Sequence, residues 1–113
     1  MYILVPPADI PVPFKLLDEG HDLWYIYNRG GTYSQKHDSM SVYDADFWNF
    51  NFEQIGQYDV KAAMDFVYTK TGKKTALYSI DTGTSAVLAG LTTDYEWFKE
   101  RTYKVALLAP CTV

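Results

Sequence analysis

Apolar positions along this chain follow two periods, and each change of period marks a change of element. Tyr2–Val5 is a short apolar run stopped by Pro6-Pro7 and predicts a first strand. Val12–Glu19 predicts a short helix, ended by Gly20 in the position that favours a left-handed backbone. Asp22–Tyr27 is aromatic and β-branched and predicts a second strand, followed by the turn Asn28-Arg29-Gly30-Gly31. Asn51 and Gln54 have the spacing of a capping box. After them Phe52, Ile55, Ala62, Ala63, Phe66 and Val67 fall on one helical stripe, closed by Thr71-Gly72. Thr75–Ile80 predicts a third strand, Thr82–Gly90 a helix, and Asp94–Arg101 a second helical piece. Val105–Ala109 predicts a fourth strand, stopped by Pro110. Apolar strands alternating with helices predict an α/β fold with a parallel sheet. Thr32–Asn49 is left as a long polar and aromatic connection, and that length points to a present or inherited function.

Composition narrows the function classes. A chain of 113 residues is one domain by length. Its 48 % hydrophobic content, with ten Tyr, six Phe and three Trp, excludes disorder. A formal charge of −4 argues against a nucleic-acid partner, which would want a basic face. Cys111 is the one cysteine, so neither an internal disulfide nor a cysteine-based metal site is expected, and no cofactor is called for. No apolar run approaches the roughly 18 residues of a membrane span. Met1–Pro7 has no basic flank, and none of Asn28, Asn49 and Asn51 begins a glycosylation sequon, so secretion is not expected.

The most informative stretch is Ser79-Ile80-Asp81-Thr82-Gly83, between a predicted strand and a predicted helix. It resembles the nucleophile elbow of α/β-hydrolases, G-x-S-x-G, with Asp81 at the serine position and Ser79 at the first glycine. Other runs point the same way: Leu16–Trp24, Asn28–His37 with its Arg-Gly-x-Thr-Tyr-Ser, Phe47–Glu53 with its Phe-Trp-x-Phe, Tyr58-Asp59, Lys70–Gly72 and Ala106–Val113. Together, across about residues 14–113, these runs resemble the acid lipase family, the gastric and lysosomal acid lipases. That resemblance implies an α/β-hydrolase fold and a Ser, Asp and His triad acting on triglycerides and cholesteryl esters.

Three departures from the family pattern bear on activity. Asp81 replaces the serine. The sequence ends just after the strand that follows the elbow helix, before the family's acid and histidine. Pro6-Pro7 stands where the loop after the first strand should donate a backbone N–H to the oxyanion, and proline has none. Losing one such donor alone costs about 10²–10³ in rate.

Each candidate residue has a chemical and a structural reading. Asp81 could be a carboxylate nucleophile. It could instead serve the backbone, since Asp tolerates positive φ and can cap the helix at Thr82. The structural reading is preferred. His21 opens the second strand, about 20 Å from the sheet edge where a site would lie. His37 lies in the long loop and reads as a hydrogen-bonded structural histidine. Asp59 falls on the apolar stripe and must be paired if buried, with Arg29 as the expected partner. Trp24, Phe47, Trp48, Phe50 and Phe52 read as packing rather than as a lipid pocket.

The expectation is therefore a truncated α/β-hydrolase domain: four parallel strands in the order 2-1-3-4, with the long helix and the elbow helix on one face. Its sheet edges are open, which calls for other protein subunits as partners, contacted around Val105, Leu107 and Ala109. The expected role is a non-catalytic, lipase-derived subunit of an intracellular assembly, mitochondrial or otherwise organellar, without a metal and with lipid contact open. Two alternatives are kept: Asp81 as nucleophile with its other groups from another chain, and one part of a lipase-like protein split between polypeptides.

Overall fold

A computed structural model describes residues 12–111, and the predicted strand Tyr2–Val5 lies outside them. Helix α1 (Val12–Asp18) stops at Gly20, whose φ is +85°. The Gly20 N–H reaches the Leu17 carbonyl at 2.9 Å and the His21 N–H reaches that of Leu16 at 3.0 Å. This crossed pair satisfies carbonyls that the helix end leaves open. The helix buries none of its side chains.

Asp22–Tyr27 is not a strand, contrary to the expectation. A strand needs a neighbour to pair with, and the neighbour assigned by the order 2-1-3-4 is Tyr2–Val5, outside the described residues. The sheet accordingly has two strands among the described residues rather than four. Strand β1 (Thr75–Ile80) runs parallel to β2 (Thr102–Leu108); Thr75 faces Thr102, and after a one-residue register shift Ala76 faces Lys104 and the pairing runs on to Ile80 opposite Leu108. The long connection contains one short 3-10 turn, Ala45–Trp48.

The long helix starts where the capping box predicts. The Asn51 side chain accepts from the Gln54 N–H at 3.0 Å, and the Gln54 side chain accepts from the Asn51 N–H at 2.9 Å. The helix has three parts: α2 (Phe52–Gln54), a π segment (Ile55–Val60) and α3 (Lys61–Thr71), which Gly72 closes at φ +66°. A π turn inserts one residue into the helical repeat. Beyond it the apolar stripe is displaced by one position. Ile55 and Gly56 are buried, as is Val67 of the predicted stripe, but the buried side chains between them are Val60 and Met64, while Phe52, Ala62 and Phe66 are exposed. Phe66 turns to the other side, where its ring meets the edge of Trp24 at 5.9 Å.

Helices α4 (Thr82–Thr93) and α5 (Tyr95–Arg101) connect the two strands. The core gathers Ile55, Val60, Met64, Leu77, Ala86, Val87 and Phe98, with Val105 and Leu107 of β2 packed against it. Helix α5 starts at Asp94, whose carboxylate accepts from the Trp97 N–H at 3.4 Å and from the Lys61 ammonium at 2.5 Å. The Lys61 hydrogen bond is the main reason the Asp94 carboxyl lies below its ordinary pKa; partial burial opposes it, and the Trp97 N–H and the charges of Lys61 and Arg101 support it.

Gly56 and Gly90 set the distance between the π segment and α4. A Cβ on Gly56 would fall on the Ala86 carbonyl oxygen and lie 2.6 Å from the Gly90 nitrogen. Gly56→Ala is therefore expected to force the two helices apart. Overpacking of this kind costs about 1–3 kcal/mol, and the better helix propensity of Ala returns at most about 1. The check is the urea midpoint followed by tryptophan fluorescence; an unchanged midpoint would contradict so close an approach.

Asp94 gives a pH signature. Its folded pKa is depressed, so its contribution is fully present above the unfolded value and is lost as pH falls through the folded one. Stability should drop as pH is lowered below about 4. In Asp94→Asn that part of the acid limb should flatten; equal acid limbs in the two proteins would count against the Lys61–Asp94 bond.

Candidate functional site

The turn from β1 into α4 is the candidate site. Asp81 has φ 53° and ψ −132°, a backbone conformation that non-glycine residues rarely adopt. Its N–H donates to the Leu108 carbonyl at 3.1 Å, so the turn is tied to the end of β2. Its carbonyl accepts from the Thr84 N–H at 2.9 Å and from the Thr84 hydroxyl. Thr84 is fully buried. On the far side of the turn, a Cβ on Gly83 would come within 2.9 Å of the Ser79 hydroxyl oxygen. The absence of a side chain at Gly83 thus lets the turn pass close to Ser79.

The Asp81 side chain does not cap α4, contrary to the expectation. An N-cap side chain reaches back to the first turn from an extended backbone. At φ 53° and ψ −132° the backbone is not extended, and Asp81 is exposed. The Thr84 N–H, from which a capping side chain would accept, goes to the Asp81 backbone carbonyl instead. Thr84, three residues after the turn residue, is the signal in the sequence for this arrangement.

The two histidines stand elsewhere. His21 is exposed, with Nε2 3.9 Å from a Glu19 carboxylate oxygen. His37 Nδ1 accepts the backbone N–H groups of Ser39 at 3.2 Å and Met40 at 3.0 Å. The proton of its neutral ring is therefore on Nε2. Neither histidine bonds Asp81. A groove of about 680 Å³ and a cavity of about 220 Å³ lie among the described residues, and Asp81 lines neither. No group of three or more His, Cys, Asp or Glu side chains gathers there to hold a metal, and no helix there is long and apolar enough to cross a membrane.

Arg29 and Asp59 are joined. The guanidinium closes on the carboxylate through Nη2 at 2.7 Å and Nε at 2.9 Å, and the Arg29 backbone N–H donates to the other carboxylate oxygen at 2.7 Å. The Phe50 and Tyr58 rings flank the guanidinium at 5.9 and 5.6 Å. The contact ties the turn before the long loop to the π segment. Of the aromatic residues, Phe47 is buried and Phe50 packs against the core, while Trp24, Trp48 and Phe52 remain exposed.

Val105 and Leu107 pack against the helical core, so that among the described residues the backbone edge of β2 and its exposed Leu108 remain for a neighbour. Ala109 lies past the strand, exposed and at φ 46°. Cys111 follows, its carbonyl accepting from the Ser85 hydroxyl.

Known proteins similar to this chain are lipases. Lipase member K of Homo sapiens is 33 % identical over 101 residues, 88 % of this chain and 25 % of that protein. A probable lipase of Schizosaccharomyces pombe is 30 % identical over 92 residues, 80 % of this chain and 21 % of that protein. The lysosomal acid lipase/cholesteryl ester hydrolase of Homo sapiens is 37 % identical over 71 residues, 63 % of this chain and 18 % of that protein. The match thus spans between a fifth and a quarter of the first two relatives and less of the third. No family model matches the chain, and no solved structure does. The similarity to acid lipases holds over part of the chain and supports an α/β-hydrolase architecture for it.

The Arg29–Asp59 contact gives a stability prediction. The pair is partly exposed, so Asp59→Ala should cost about 2 kcal/mol rather than the 3–5 of a fully buried pair. The double variant Arg29→Met/Asp59→Leu should recover much of that loss. If the single and double losses simply add in chemical denaturation, the pair is not coupled.

Proposed function

We propose that this chain is a lipase-derived module that has lost serine-type ester hydrolysis and acts through contacts with other protein. One observation carries the reading. The strand-to-helix turn keeps the strained backbone of a nucleophile elbow, yet the residue it presents is Asp81, exposed, unbonded to either histidine and outside both cavities. A carboxylate there cannot form the acyl-enzyme that a serine forms. In the same reading the fold is the four-stranded arrangement 2-1-3-4, with the second edge of β1 and the Asp22–Tyr27 segment, both without a strand partner among the described residues, as the places for the remaining strand. The edge of β2, free among the described residues, and the exposed Tyr78 and Leu108 support a partner on the sheet. The setting is intracellular. The one compartment carried by a relative's name is the lysosome, and nothing favours the mitochondrion over it.

A second reading is favoured by the same turn: its conformation holds a carboxylate out toward solvent, as a carboxylate nucleophile would need. That reading requires a base to activate water, supplied from outside the described residues, by another chain or by the other part of a split lipase-like protein.

The test is hydrolysis. Short- and long-chain esters should not be cleaved above background, by the chain alone or in its native assembly. Turnover abolished by Asp81→Asn would overturn the proposal and establish the carboxylate reading. Asp81→Ser should not raise ester cleavage, because neither His21 nor His37 reaches position 81.

The contact role is tested by isolation. Expressed alone, the chain is expected to self-associate or aggregate, because strand edges and apolar side chains are left uncovered. Light scattering coupled to size exclusion reads this directly. A monodisperse, cooperatively unfolding monomer would refute the contact role.

A further inference from the structure

We draw no further inference here: the strongest candidate, the groove of about 680 Å³ between the extended Tyr25–Tyr27 segment and the Phe47–Phe50 loop, has Arg29 already closed on Asp59 and Lys36 offset by Asp46, so that its charge selects no ligand, and nothing in the structure shows what covers it.

Discussion

The close approach of Gly56 to Gly90 is the constraint on which the rest of the structure depends. Backbone meets backbone there, with no side chain between. Helix α4 can therefore lie against the π segment closely enough for Ala86 and Val87 to enter the same core as Ile55 and Val60. The position of α4 fixes the start of that helix, and hence the turn at Asp81. Phe98 completes the arrangement. It is fully buried, and its ring lies so close to Gly90 that a Cβ there would be 2.7 Å from it. One residue without a side chain thus receives a helix on one side and an aromatic ring on the other.

The π segment explains what was legible in the sequence and what was not. The capping box at Asn51 and Gln54 and the closing Gly72 are local signals. They depend on side chains within one turn, and both stand in the structure. The stripe from Ile55 to Val67 is a phase argument across four turns; it holds at Ile55 and Val67, and one inserted residue shifts the positions between them. Val60 and Met64 take the places that a regular repeat would give to Asp59 and Ala63. The insertion also moves Asp59 out of the core stripe and toward Arg29. Pairing a carboxylate that would otherwise be buried alone offsets the poorer geometry of a π turn. Residue types suggested the partner of Asp59, but only the shifted phase shows why the two can meet at the edge of the core.

Strands divided along a similar line. Thr75–Ile80 and the Val105–Leu108 part of the last strand were readable because each is apolar and bounded; the polar start of that strand at Thr102–Lys104 was not, and Ala109 falls outside it. Asp22–Tyr27 has the composition of a strand, but composition supplies no hydrogen-bond partner. Its aromatic side chains find other uses: Trp24 meets Phe66, and Tyr25, Ile26 and Tyr27 line the open groove. The groove itself left no signal in the sequence, because its walls come mostly from irregular backbone between Tyr25 and Phe50, closed by Asp59 and Ala63 of the long helix.

The elbow bears on how strain should be read. A non-glycine residue at positive φ costs on the order of 1–3 kcal/mol and persists only when its surroundings over-determine it. Asp81 gains no capping bond that would offset this cost. Its conformation is held by others: the Leu108 carbonyl takes its N–H, Thr84 donates twice to its carbonyl, and Gly83 lets the chain pass close to Ser79. None of these contacts uses the Asp81 side chain. The turn is therefore a property of the strand, the helix and their glycines, and it would hold a different side chain in the same place. A strained elbow records the architecture that built it; the chemistry depends on which side chain it carries and what that side chain can reach.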